Sequence, residues 1–122
     1  MKENIVMDKA YAFALRIIKA YKLLSKEQRE FVLSKQLLRS GTAIGALIKE
    51  SEHAQSKADF INKMNIALKE ANETEYWLML LHDSDYIDEK TFTSIISDCT
   101  ELIRLLISIV KSSRDSNNKK KE

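Results

Sequence analysis

The sequence contains no proline, two glycines and a single cysteine among its 122 residues. Without proline and with little glycine, it excludes a loop-rich or all-β domain, which needs these residues at its turns. One cysteine excludes an internal disulfide framework. The longest uncharged run covers residues 40–48, far short of the ~20 residues that cross a bilayer. Glu3 and Asp8 interrupt the region where a secretory signal is apolar, so we expect a soluble, cytoplasmic protein without membrane contact.

The residues that are present favour one folded domain. Hydrophobic residues make up 44% of the chain and charged residues 31%, which is too apolar for a disordered polymer. The formal net charge of +2 hides an asymmetry: residues 1–49 carry a net charge of +6, residues 50–110 of −7 and the last twelve residues of +3. The basic and acidic parts either neutralise each other across antiparallel helices or meet between copies of the chain.

Apolar residues recur at steps of three and four through most of the chain and predict four helices. The first runs from about residue 5 to 24. Ser25 and Gln28 match a capping box, so the second is expected to begin at Ser25 and to reach about residue 55. The third starts near Ser56, and the fourth follows Asp88, a good N-cap, to about Ser113.

These helices define the fold class that the sequence predicts: all-α, an antiparallel up-down-up-down four-helix bundle. Residues 1–113 are expected to form a single bundle domain, and residues 114–122 a polar, disordered tail. Gly41 and Gly45 lie four residues apart in the second helix. This spacing indicates either a close approach of a neighbouring helix or a kink.

Some large apolar residues fall outside the main stripe of their helix and are candidates for a subunit interface. A monomeric bundle buries one stripe per helix, so a second stripe favours a partner, although scattered surface apolar residues are ordinary. We therefore predict a homo-oligomer. The candidate interface residues are Tyr11, Leu15, Ile18, Ile66, Trp77 and Leu80.

No arrangement of residues specifies a catalytic centre. Glu50 and His53 match one Glu-x-x-His turn of a di-iron bundle, but Met79 stands where His82 would need a glutamate. Cys99 falls on the apolar stripe of the fourth helix and is expected to be a small buried residue. Because phosphate-binding, nucleophile and zinc motifs are missing, we predict no catalytic, cofactor-binding or metal residues, no cofactor and no enzymatic activity.

Basic residues give the alternative functional hypothesis. They lie on the first two helices and could bind the phosphates of a nucleic acid. A solvated face, or a surface that meets the acidic part of a neighbouring copy, is the competing interpretation. The candidate nucleic-acid contacts are Lys9, Arg16, Lys19, Lys26, Arg29, Lys35 and Arg39.

The stretch from residue 39 to 51, RSGTAIGALIKES, resembles the central motif of the four-helix-bundle family encoded in intervening sequences of bacterial large-subunit ribosomal RNA genes. That family reads R-S-x-x-S-I-P-x-N-I-x-E-G at this point, and the chain departs from it at Ala43, Gly45, Leu47 and Ser51. The following block, residues 56–81, is similar to the family's third helix, and the resemblance covers residues 7–110. The matching packing residues are Arg39, Ser40, Ile44, Ile48, Glu50, Phe60, Ala67 and Glu73.

The resemblance carries its own implications. It implies a non-enzymatic bundle that assembles as a ring, commonly a homopentamer. It also implies kinship with the accessory protein of diversity-generating retroelements, a basic pentamer that engages nucleic acid. We therefore predict a ring-forming interaction or scaffold protein, and as the alternative an RNA-binding accessory factor that uses the basic residues of helices one and two.

Overall fold

The chain forms four helices connected by short loops. The computed structural model describes residues 2–121, with side chains described for residues 5–116. The helices are α1 (Lys2–Lys26), α2 (Leu33–Ser51), α3 (Lys57–Asp83) and α4 (Glu89–Lys121), and no strand occurs within residues 2–121. The predicted all-α fold is confirmed.

Each helix packs against its neighbours in sequence, and α1 packs against α4, whereas the backbones of α1 and α3 do not come close to each other. On α1 and α4, Lys9 pairs with Glu101 and Arg16 with Asp98. The partner number falls as the α1 number rises, which is the pattern of an antiparallel pair. Contacts between α2 and α3 run the same way, from Arg39 with Glu70 to Glu50 with Lys63. The four helices therefore form a closed square in chain order, as expected for the predicted bundle.

The core lies along the centre of this square. Burying these apolar side chains is the main source of stability, at about 25 cal/mol for each Å² removed from water. The largest fully buried side chains come from all four helices: Phe13, Ile17, Leu37, Ile44, Ile48, Met64, Leu78, Leu81, Leu102 and Leu106.

Gly41 lies where α2 passes α1 at close range. A Cβ atom at Gly41 would lie 2.8 Å from Cγ1 of Ile17 and 2.9 Å from its Cγ2, closer than carbon atoms approach without repulsion. At Gly45 a Cβ would meet its nearest neighbours, Met7 and Ala10, at 3.6 Å or more. Because α2 is helical without interruption from Leu33 to Ser51, the paired glycines permit helix contact rather than a kink.

The prediction that the second helix begins at Ser25 is wrong. Ser25 lies in the last turn of α1 and its hydroxyl donates to the carbonyl of Tyr21 at 2.8 Å. The chain turns at residues 27–32, and the Glu30 side chain caps α2 instead. Its Oε1 accepts from the backbone N–H of Ser34 at 2.6 Å and its Oε2 from Leu33 at 3.0 Å and from Val32 at 3.1 Å.

The other two helix starts are confirmed. Ser56 Oγ accepts from the backbone N–H of Asp59 at 3.0 Å, and Asp88 Oδ1 accepts from that of Thr91 at 2.7 Å. Helix α4 continues to Lys121, beyond the predicted end at Ser113, which is the last buried residue among those with described side chains. The disordered tail at residues 114–122 stays a prediction, and its side chains from 117 onwards lie outside the described part.

Candidate interaction surfaces

The family-like motif of α2 forms its contact with α3. Arg39 pairs with Glu70 at 3.3 Å and with Glu73, and its pKa is raised by the hydrogen bond to Glu73. Burial raises the pKa of Glu70, and the adjacent Glu73 carboxylate raises it further. Beside these ion pairs, the Thr74 hydroxyl lies 2.9 Å from that of Ser40, and both residues are fully buried. These polar contacts fix the register of the two helices.

The remaining motif residues extend the same seam. Ile44, Ile48 and Ala67 are buried in the core. Glu50 pairs with Lys63 at 3.3 Å, while Phe60 is half-buried with the Lys57 ammonium 5.8 Å from its ring centroid. The motif therefore positions helices and presents no reactive group.

The predicted nucleic-acid residues separate into two groups. Lys9, Arg16 and Arg39 are engaged by carboxylates of the acidic half: Lys9 by Glu101 at 3.2 Å and Arg16 by Asp98 at 2.7 Å. These pairs link residues 1–49 to residues 50–110. They support the interpretation in which the +6 and −7 segments neutralise each other within one chain.

The other four predicted residues, Lys19, Lys26, Arg29 and Lys35, are exposed. Within the described side chains, none of them makes an ion pair. They extend from the second half of α1, through the connecting loop, to the first turn of α2. This group is the remaining candidate surface for a polyanion.

The predicted interface residues of α1 lie on its outer face. Tyr11 is 63% exposed and Leu15 is 53% exposed, and Ile18 is half-buried. Beside them an open, mostly apolar groove of about 530 Å³ runs between α1 and α2. Small residues of α2, Gly45 and Ala46, leave this space beside the larger Met7 and Tyr11 of α1. It is lined by Met7, Asp8, Tyr11, Ala14, Thr42, Gly45, Ala46 and Lys49.

The predicted interface residues of α3, Ile66, Trp77 and Leu80, are half-buried. Trp77 packs against the core, and its buried indole N–H has no hydrogen-bond acceptor among the described residues. Because α1 and α3 are diagonal in the bundle, the six residues do not form one surface. Their role as an interface stays a prediction.

Sequence reasoning missed several exposed apolar residues. Tyr76 and Met79 of α3 and Ile107 of α4 are exposed on the side of the bundle opposite to the α1–α2 groove. Phe31 and Val32 are exposed in the loop before α2. For the three helical residues, the angular distance from the apolar stripe of the helix was the available signal of exposure. That distance cannot distinguish a residue that points outward from one that packs where two helices meet.

The surroundings of two side chains, Cys99 and His82, shift their pKa values. Burial raises the pKa of the Cys99 thiol to about 12, helped by Glu75 and Asp98, so the thiol stays protonated and is a poor nucleophile. His82 lies between two carboxylates, with Nδ1 2.9 Å from Asp83 and Nε2 2.9 Å from Glu89. The hydrogen bond with Asp83, supported by Glu89, raises the pKa of His82.

Neither a metal site nor a membrane-spanning helix occurs in the described part of the chain. No set of three or more His, Cys, Asp or Glu side chains with described positions could hold a metal ion. Among the described residues, no helix combines the length and the apolar character needed to span a membrane.

This chain is thus a small all-α protein whose defining motif joins α2 to α3 and whose distinctive surfaces are an apolar groove and a group of exposed cations. It belongs to the 23S rRNA-intervening sequence protein family, whose model matches residues 2–108. It is also similar to a crystallised protein of unknown function from the S23 ribosomal protein family of Bacteroides thetaiotaomicron VPI-5482. The two share 63% identity, the match covers 91% of this chain and 99% of that one, and the TM-score is 0.90. Among curated proteins, none matches this chain.

Proposed function

We propose that this protein is a non-enzymatic, cytoplasmic interaction module that assembles with copies of itself into a ring. The observation that carries the proposal is the exposed apolar face of α1, where Tyr11 and Leu15 border the groove against α2. A large aromatic residue left 63% exposed beside an apolar groove is typical of an interaction surface. A homopentamer is the assembly implied by the family resemblance.

The charges support apolar contact, rather than charge pairing, as the basis of this assembly. Three cations of the basic half already pair with carboxylates of their own chain, at Lys9, Arg16 and Arg39. A neighbouring copy would have to break these pairs to use them. Exposed ion pairs contribute at most about 1 kcal/mol each, whereas burial of one large aromatic side chain contributes about 2 kcal/mol or more.

Sedimentation of the purified protein tests the proposal. We expect a mass that is a multiple of 14.1 kDa, five-fold for a pentamer, and we expect Tyr11→Glu to reduce it because the new charge would be buried without a partner. The matched control is Ile5→Glu, on the same helix. Ile5 is 48% exposed and lies about 120° around the helix axis from Tyr11 at 100° per residue. The Ile5→Glu variant should therefore have the same mass in solution as the wild type. A wild-type mass of 14.1 kDa at micromolar concentration would contradict the proposal.

The alternative is an RNA-binding accessory factor, favoured by the exposed cations Lys19, Lys26, Arg29 and Lys35, which make no ion pair among the described side chains. In this case a labelled structured RNA would bind with an affinity that falls linearly on a log–log salt plot. Neutralising Lys19, Lys26 and Lys35 together should reduce the slope by about 3. Arg16→Ala is the control, since its guanidinium is held by Asp98. The scaffold proposal instead expects no binding at about 50 mM salt, where phosphate contacts are strongest.

A further inference from the structure

Two loops lie side by side at one end of the bundle. The α1–α2 loop covers residues 27–32 and the α3–α4 turn covers residues 84–88. Gln28 of the first borders the same crevices as Tyr86, Ile87 and Asp88 of the second. No ion pair within the described side chains joins the two loops, although their charges are opposite.

The first loop and its flanks form what we name the basic loop: Lys26, Arg29 and Lys35. All three are exposed, and no carboxylate with a described position pairs with them. Lys9, Arg16 and Arg39, by contrast, pair with carboxylates of α3 and α4. Glu27 of the same loop is exposed without a described ion pair and Glu30 caps α2, so residues 26–35 keep a net positive charge.

The second loop and its flanks form what we name the acidic turn: Asp83, Asp85, Asp88 and Glu89. Asp88 caps α4, while Asp83 and Glu89 contact His82. Asp85, at the tip, has no described side-chain contact. The acidic turn is thus anchored at its base and presents an unpaired carboxylate at its outermost point.

The tip of each loop keeps a charged residue where the backbone favours glycine. Arg29 has φ of 54° and Asp85 has φ of 69°, in the left-handed region that glycine enters without steric cost. Asp tolerates this region better than Arg. One tip therefore carries a positive charge and the other a negative charge, each on a residue whose backbone conformation glycine would adopt with less strain.

Apolar residues at the same end are also uncovered. Val32 is 72% exposed and Phe31 is 47% exposed, directly after Arg29 and Glu30. Glu30 holds this part of the loop rigidly by accepting three backbone N–H groups. A fixed, exposed pair of apolar residues beside cations costs little entropy to bury in a contact.

From this arrangement we infer that the loop end of the bundle binds the same end of a second copy. About a two-fold axis, the basic loop of each copy faces the acidic turn of the other, with Arg29 opposite Asp85 and Val32 beside them. A surface with adjacent patches of opposite charge is self-complementary under this operation, which is the requirement for an isologous contact. This end lies away from the middle of the α1–α2 groove, so the inference is independent of the ring assembly.

The size of the surface determines the strength of this contact. Four helices whose axes lie 8–10 Å apart present an end of roughly 400 Å², half of the ~800 Å² per partner of a standard stable interface. The association is therefore weak and transient. Because exposed charges carry it, added salt should weaken it strongly.

A charge-swap mixture tests the inference. One variant is Lys26→Glu with Arg29→Glu, which reverses two of the three charges of the basic loop, and the other is Asp83→Lys with Asp85→Lys, which reverses two of the four charges of the acidic turn. Each alone should lose the end contact through like-charge repulsion. An equimolar mixture should associate at least ten-fold more tightly than either variant alone, as measured by sedimentation at low salt and protein concentrations on the order of 100 µM, where weak interfaces are populated. A mixture whose mass is the average of the two separate solutions overturns the inference.

The measurement is made in the Tyr11→Glu background so that only the end contact is observed. If Tyr11→Glu leaves the mass of the parent unchanged, the α1 face is not the contact of the ring, and the charge-swap result is still measured as a change relative to that mass. The variant Arg29→Gly adds a second discriminating result: it should unfold at a higher temperature, since glycine relieves the left-handed backbone, and yet associate more weakly. Loss of RNA binding in the acidic-end variant without any change in association would assign the basic loop to a nucleic acid and overturn the inference.

Discussion

Replacing Gly41 by alanine is expected to destabilise the bundle by about 1–3 kcal/mol, the usual cost of forcing extra volume into a packed core. The new methyl group would lie 2.8 and 2.9 Å from two γ carbons of Ile17. Ile17 is β-branched and fully buried, so it cannot rotate away without a strained rotamer. The repulsion outweighs the gain in helix propensity of about 1 kcal/mol from glycine to alanine. Chemical denaturation at fixed protein concentration measures the change.

Gly45→Ala is the matched control because it makes the same chemical change one turn along the same helix. Its Cβ would meet neighbours at 3.6 Å or more, an ordinary contact, so we expect stabilisation by about 0.5–1 kcal/mol. In an Ile17→Ala background, Gly41→Ala should lose most of its cost because both γ carbons are gone and only the Cβ contact at 3.3 Å remains. Equal effects of the two glycine substitutions would show that α1 and α2 do not approach closely at Gly41.

Glu30→Ala is expected to destabilise the protein by about 2 kcal/mol, at the upper end of the range for loss of a helix cap. The substitution removes the acceptor for three backbone N–H groups, of Val32, Leu33 and Ser34. Glu30→Gln should have a smaller effect because one side-chain oxygen can still accept. Glu27→Ala, three residues earlier on an exposed side chain, should change stability by less than about 0.5 kcal/mol. Similar effects of Glu27→Ala and Glu30→Ala would contradict the capping role.

The same carboxylate gives a pH dependence with a defined sign. Burial of Glu30 opposes its charge, but the hydrogen bonds from the three backbone N–H groups outweigh burial and lower its pKa below the ordinary value of 4.5. A group whose pKa is lowered on folding contributes stability above its unfolded pKa and loses it as the pH falls through the folded value. The difference in stability between wild type and Glu30→Ala should therefore be constant near neutral pH and should shrink below pH 4.5.

The fold was predictable because helix periodicity repeats in all four segments and two of the helix starts use typical cap residues, Ser56 and Asp88. The start of α2 was not predictable in this way. Ser25 matches a capping box, but its hydroxyl bonds back into α1. The true cap is Glu30, three residues before the first residue of α2, and glutamate is not a preferred capping residue.

The candidate surfaces were only partly predictable from the sequence. Tyr11 and Leu15 are exposed as expected, because their angular distance from the α1 stripe is large. The state of the cations depends on contacts between residues distant in sequence: Arg16 and its partner Asp98 are 82 positions apart. No local pattern distinguishes Arg16, which is paired, from Lys19, which is exposed without a described partner.

The square arrangement has a consequence for the order in which the chain folds. Three of its four seams join helices connected by short loops, so little chain entropy is lost in closing them. The seam between α1 and α4 joins the two ends of the sequence and is the least extensive of the four, and its partly exposed pairs, Lys9 with Glu101 and Arg16 with Asp98, stabilise it only modestly. We therefore expect this seam to close last during folding and to part first under thermal fluctuation. Such an opening would separate α1 from α4 and leave the motif contact between α2 and α3 closed.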